Sequence, residues 1–307
     1  MKQLVTLHSD TIFKIEQEGG NLRSNDFDLS LEKLSGFKSL TTFAFFVPLD
    51  KHPDAFSYLE KLHGIQKREF DENKDLISLI SDRAGYESKQ TSAILSIEEG
   101  AVYKGDVANV KKFYDWGVRI STLTWNFEND LAYPTSTDRN VMSMGLKDKG
   151  FEIAEALEAC KVLIDVSHLN DKGIADLLER AKRPVIASHS NCRSLCNHQR
   201  NLTDEQIKGI ADTGGVVGIN FFPPFVEEGP EPKATYQGLA KHILHLYQVG
   251  GEDILAIGPD YDGIDGSYEP KDISGMPDFY TYLHEHTDLS MSVLDKLFYG
   301  NALRVLF

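Results

Sequence analysis

Lys161-Val-Leu-Ile-Asp-Val-Ser-His168 and Pro184-Val-Ile-Ala-Ser-His189 are two short apolar runs that each finish in a histidine. A third run, Leu4-Val-Thr-Leu, leads into His8-Ser9-Asp10. Runs of this length, rich in valine and isoleucine, suit strands better than helices. One buried histidine is ordinary core packing. Three strand-like segments that each end in an imidazole or a carboxylate describe a metal site instead. Parallel α/β barrels gather their strand ends at one mouth, so the pattern points to such a barrel.

Outward from these runs, β-rich segments recur at 4–8, 40–47, 92–98, 118–125, 162–168, 184–189, 215–222 and 254–260. Helix-period segments lie between them at 56–80, 107–116, 146–159, 174–182, 204–211 and 239–249, and one at 291–306 closes the chain. Thr203-Asp204-Glu205-Gln206 reads as a capped helix start, with Thr203 and Gln206 as the capping pair. Eight strands alternating with helices predict an α/β fold, a (β/α)8 TIM-like barrel formed as a single domain over 1–307. A doubly wound sheet is the rival, but it would place a ligand at one switch point, and here candidate site residues end five strands. The connections 126–145, 223–235 and 261–289 are long for a compact domain and would all lie on the C-terminal face. Loops in that position build substrate walls and lids.

Lys and Arg total 32 against 47 Asp and Glu, a formal charge of −15. Such a balance opposes nucleic-acid or anionic-membrane binding, which needs a basic patch. Cys160, Cys192 and Cys196 form no disulfide framework and read as free thiols. No signal-peptide core precedes the first strand and no run of eighteen apolar residues occurs, so a cytoplasmic protein is expected.

His8 and Asp10 are two apart on a strand, which turns both side chains to one face. Glu98 or Glu99 ends the third strand, and composition alone does not choose between them. His168 ends the fifth strand, His189 the sixth and Asp260 the eighth. Two groups of ligands around a shared carboxylate suit two zinc-like ions about 3.5–4 Å apart, leaving Asp260 free to handle protons.

At these residues the chain resembles the membrane, or renal, dipeptidase family of the amidohydrolase superfamily, as a soluble bacterial-type member. His8-Ser-Asp10 looks like the family's His-x-Asp start, and Ser96-Ile-Glu98 like its bridging-glutamate motif. Asp165-Val-Ser-His168 and Ser188-His189-Ser190 look like its two histidine motifs. Arg200-Asn201-Leu-Thr-Asp204, Gly258-Pro-Asp260-Tyr-Asp262-Gly263 and Gly300-Asn301-Ala-Leu-Arg304 match further segments in the same order. The resemblance implies two Zn²⁺ per chain, one on His8 and Asp10, the other on His168 and His189, with Glu98 bridging. It also implies Asp260 as the catalytic proton carrier and Arg200 as the ligand of a substrate carboxylate. Taken without the resemblance, Arg200 is a surface cap residue.

The activity implied is hydrolysis of dipeptides with a free C-terminus by a metal-bridging hydroxide, with a D-residue tolerated at the second position, in a chain that often dimerises. Trp125, Asn126 and Phe222 are expected to contact substrate. Trp125 departs from the family, whose best-studied members carry a histidine there. Indole donates one hydrogen bond and cannot become charged, so a shift in mechanism or specificity is expected. Glu99 replaces a frequent glycine and reads as a solvated loop charge, with Asp262 as the reserve proton carrier. His52, His63, His198, His242, His245, His284 and His286 are placed on helix or loop surfaces. The competing readings are another amidohydrolase-type enzyme, such as a lactonase or amidase, and a non-catalytic barrel.

Overall fold

Strand-forming residues occupy the chain where the apolar runs lie; six strands are shorter than those runs, and the two at 38–46 and 91–98 are slightly longer. The computed structural model describes residues 1–307. Its barrel strands are β1 (Gln3–Thr6), β2 (Lys38–Phe46), β3 (Thr91–Glu98), β4 (Val118–Thr122), β5 (Leu163–Asp165), β6 (Val185–Ile186), β7 (Val217–Ile219) and β8 (Leu255–Ile257). All neighbouring pairs are parallel, in the order β6-β5-β4-β3-β2-β1-β8-β7. The barrel closes between β6 and β7 through a bridge from Ala187 to Val217, with Gly218 N donating to Ala187 O at 2.8 Å.

Strand periodicity decides what faces inward. Along β3, Ala93, Leu95 and Ile97 join the large core between strands and helices. Ile94 joins a second cluster with Val5, Leu40, Ile120, Leu163, Ile186 and Ala256, which fills the barrel itself. Glu98 shares the face of Ile94, whereas Glu99 begins the following loop. Alternation therefore sends Glu98, and not its neighbour, into the mouth. Ala302, Leu303 and Val305 of the last helix belong to the inner cluster and plug the opposite end.

Three expectations about elements need correction. The segment 56–80 is not one helix: it runs as Ala55–Glu72 and then turns at Asn73, whose amide caps Glu69 O at 2.8 Å. The short strand Ser78–Leu79 that follows pairs with β3. The closing segment is broken by a π-helical turn, Lys296–Gly300, between Met291–Asp295 and Asn301–Leu306. There Asn301 Nδ2 is drawn to Glu252 O and Leu255 O, at 2.7 and 2.9 Å. The long connection 261–289 contains a helix, Met276–His286, and a strand, Ser267–Tyr268. That strand pairs with Lys233–Ala234, so two of the three mouth loops are tied into one wall. The Thr203–Gln206 capping box forms as the spacing predicts.

The mouth is tight where β6, β7 and β8 converge. A Cβ added at Gly258 would lie 1.7 Å from Ser188 O, a backbone atom held in the closing strands. Gly258→Ala is therefore expected to lose at least the ~1–3 kcal/mol typical of an overpacked core. Thermal unfolding checks this, and an unchanged melting temperature would mean the strands have room to part.

Candidate metal centre and active site

The candidate residues lie at or just beyond strand ends, where the backbone is free to turn them inward. β1 ends at Thr6 and the chain bends, but Ser9 then pairs with Tyr261, so His8 and Asp10 flank a β-bridged residue as the two-residue spacing predicts. Asp10 also stands at the N-cap of the helix Thr11–Glu18. His168 and Asp260 adopt left-handed backbone conformations, with φ of 69° and 64°. A non-glycine residue in this region costs about 1–3 kcal/mol, so the surroundings must hold it there.

Glu98 stands between two groups of ligands. Its Oε2 lies 3.2 Å from His8 Nε2, which is itself 3.4 Å from Asp10 Oδ2. Its Oε1 lies 3.0 Å from His168 Nε2 and 3.6 Å from His189 Nε2. Burial is nearly complete for His8, Asp10, Glu98, His168 and His189. His8 Nε2 and Asp10 Oδ1 are buried without any hydrogen-bond partner.

The two remaining imidazoles have their protons committed elsewhere. Ser188 Oγ donates to Asp165, a carboxylate that can only accept, so His189 Nδ1 must donate to Ser188 Oγ at 2.7 Å. His168 Nδ1 donates to Asn126 Oδ1 at 2.9 Å. Both Nε2 atoms then carry lone pairs, and they face each other at 3.0 Å. Two lone pairs at that separation repel unless a cation lies beside them. This donor set of imidazole nitrogens and carboxylate oxygens, with unsatisfied atoms aimed inward, fits zinc-like ions.

Electrostatics point the same way. Burial, opposed by His8 and assisted by Asp10 and Asp260, pushes the Glu98 carboxyl up to about 7. Burial opposes charge on His8, yet Glu98 and Asp10 hold its pKa well above the ordinary value. Burial drives His168 and His189 well below theirs, with Arg200 contributing to both. Neutral imidazoles are the form that binds metal.

Asp260 sits on the rim of this cluster. Its Oδ2 accepts from Asn220 Nδ2 at 2.9 Å, and its Oδ1 is 3.7 Å from His8 Nε2. Burial raises it to about 6, assisted by Asp10 and opposed by His8, a range that suits proton transfer near neutral pH. Asp262 is differently engaged, accepting from Thr11 Oγ1 at 2.5 Å and from Asp28 N at 2.8 Å. Those bonds make it a loop anchor at the edge of the site.

A cavity of about 550 Å³ opens over the cluster, lined by Asp10, Glu98, His168 and Asp260 and walled by Phe46, Trp125, Asn126 and Phe222. The volume suits a small ligand. Arg200 lies behind this wall and is not the surface cap residue that its motif alone suggests. It is 7% exposed and has no carboxylate within ion-pair distance. Its terminal nitrogens reach only His189 O and Ser190 Oγ, both at 3.4 Å, and its Nε has no partner.

Two surface assignments also fail. Glu99 is fully buried, and its carboxylate accepts from the Ala101 and Trp125 amides and from Asn129. His242 is buried, taking Cys192 N on Nδ1 at 3.1 Å and facing Val226 O with Nε2 at 3.1 Å, so it joins the loops after β6 and β7. Asp165 and Asn220 carry hydrogen bonds into the site but had no distinguishing sequence signal beyond lying near the histidine and aspartate motifs.

The profile of the membrane dipeptidase family, peptidase family M19, matches residues 2–307. This chain belongs to the membrane dipeptidase family. It is accordingly a metal-dependent dipeptidase, a hydrolase on an α/β barrel. Among its relatives is a Klebsiella pneumoniae protein described as an uncharacterized protein in the pqqA 5′ region. The two are 36% identical over 231 residues, which span 72% of this chain and 83% of that protein. The fold matches the crystal structure of dipeptidase AC, a metallopeptidase of family M19, with a TM-score of 0.90 at 22% identity, covering 99% of this chain and 98% of the other. A Rhodobacter sphaeroides metallopeptidase solved with a phosphinate mimic of the dipeptide L-Ala-D-Ala matches with a TM-score of 0.89 at 21% identity, over 99% and 98% of the two chains. No helix of this chain is long and apolar enough to cross a membrane.

Proposed function

We propose that the centre holds two zinc ions and hydrolyses dipeptides that carry a free C-terminal carboxylate. The observation that carries this reading is the split of Glu98. One of its oxygens lies against His8, which in turn meets Asp10, and the other faces the paired lone pairs of His168 and His189. In this reading His8 and Asp10 hold one ion, His168 and His189 the other, and Glu98 both. Zinc in such a site acts as a Lewis acid, making water a nucleophile at neutral pH and polarising a carbonyl.

The chain's own residues supply the rest. Asp260, fixed by Asn220 through one oxygen, presents the other to the cavity, where it takes a proton from the attacking water and returns it to the leaving amine. Arg200 holds a planar fork of unspent donors behind the cavity wall, suited to a carboxylate in two-point contact. A substrate that meets both groups is short and ends in a carboxylate. The dipeptide mimic in the Rhodobacter neighbour supports extending the range to a D-residue at the second position. Trp125, packed edge-on against Phe46 with ring centroids 4.6 Å apart, gives the site an aromatic wall where a histidine would offer charge.

Asp260→Asn is expected to lower turnover by about 10²–10⁴ while metal content stays near that of the parent. Steady-state kinetics with elemental analysis check this, and near-normal turnover in a fully metallated variant would move the proton transfer elsewhere.

Arg200→Ala should abolish most of the preference for free dipeptides over their C-terminal amides, since a charge-assisted hydrogen bond contributes roughly 1.5–3 kcal/mol. Lysine at this position should rescue only in part, because it lacks the fork. An unchanged acid-to-amide ratio in a folded variant would remove Arg200 from substrate recognition.

A further inference from the structure

Glu99 is a buried acid with no cation beside it, and the site described so far makes no use of it. It stands in a conformation that side chains rarely adopt, with φ of 137°. Its Oε2 accepts from Trp125 N at 3.0 Å, and its Oε1 from Ala101 N at 2.7 Å and from Asn129 Nδ2. Its own amide donates to Thr122 Oγ1 at 3.2 Å. Asn129 in turn donates to Leu123 O at 2.8 Å and accepts from Leu131 N and Ala132 N. The carboxylate thus gathers donors from three places, two of them in the loop after β4. The next residue allows the approach: a Cβ at Gly100 would lie 2.4 Å from Leu123 O.

Between Trp125 and Asn129 in that loop is Asn126, whose side-chain oxygen takes the Nδ1 proton of His168. That hydrogen bond selects the tautomer in which Nε2 is free and fixes the rotation of a ring on a strained backbone. Asn126 has its backbone next to the amide that Glu99 holds. We infer that Glu99 and Asn126 form one positioning unit, in which Glu99 fastens the loop after β4 and Asn126 sets His168 to bind metal. The sequence Glu98-Glu99-Gly100 then divides its work among three residues: metal contact, loop anchorage and close backbone approach.

The inference rests on the metal-centre reading above, and it concerns how these two residues position the His168 ring. Glutamine is a sensitive probe of Glu99. It has one acceptor oxygen for three donors, so at least one of the Trp125, Ala101 and Asn129 groups must face an NH₂. At Asn126, aspartate retains an acceptor for His168 Nδ1, whereas leucine removes it.

The test is zinc affinity of the full chain, stripped and reloaded, measured by competition with a chromophoric chelator. Asn126→Leu is expected to loosen one of two zinc equivalents by about 10–100-fold, the usual effect of losing an outer partner of a metal-bound histidine. Asn126→Asp should hold both ions near the parent affinity. Glu99→Gln should loosen the same single equivalent, and its effect should largely vanish in the Asn126→Leu background, because residues acting in series are not additive. Should Glu99→Gln fail to fold, Glu99→Asp takes its place in the cycle.

Additive effects of the two substitutions would overturn the coupling. Parent-like affinity in Asn126→Leu, with two ions still bound by the unaltered protein, would overturn the role of Asn126 and leave the metal centre standing. An unaltered protein that takes up no zinc would overturn both.

Discussion

Two imidazole nitrogens that face each other at 3.0 Å, each with its only proton spent on the far side of the ring, set the terms for this structure. Their lone pairs repel, and Asp10, Glu98 and Asp260 crowd around His8 in the same nearly buried cluster. A cation placed among them satisfies the lone pairs and the carboxylates together. The barrel serves this need by delivering five strand ends to one point while its own interior, from Val5 to Ala256, is closed by apolar packing below.

Around that point the backbone is repeatedly bent out of its ordinary range. Glu99, His168, Asp260 and Asp262 all have positive φ, and all lie within a few residues of a barrel strand's end. Such strain persists only where the surroundings over-determine it. Here the restraints are visible. Asp165 and Ser188 orient His189, Asn126 orients His168, Asn220 orients Asp260, and Thr11 with Asp28 holds Asp262. Each restraint comes from a neighbouring strand or loop, so the order of strands in the barrel is also the order in which the site is assembled.

This division explains what could be read from the sequence. The barrel was legible because β-rich runs ending in His168, His189 and Asp260 repeat a pattern that core packing does not produce. The candidate ligand types stood out because metal chemistry draws on only a few residue types. Composition left Glu98 and Glu99 open and only the resemblance chose Glu98; the phase of β3, fixed by pairing with its neighbours, is what turns that residue into the mouth. Glu99, His242 and Asn126 act through hydrogen bonds to distant backbone or side chains, and a charge or imidazole in a loop looks the same in sequence whether solvated or buried. Element ends were misjudged for a related reason. The turn at Asn73 and the π-turn before Asn301 are made by side chains bonding to carbonyls, while the surrounding hydrophobic period continues unbroken.

The central claim is that Glu98 is shared by two ions, one on each side. X-ray diffraction from crystals of zinc-loaded protein, with anomalous scattering recorded on either side of the zinc absorption edge, tests it most directly. The account predicts two anomalous peaks about 3.5–4 Å apart with the Glu98 carboxylate between them. It is contradicted by a single peak at full zinc occupancy, or by two peaks of which only one touches Glu98.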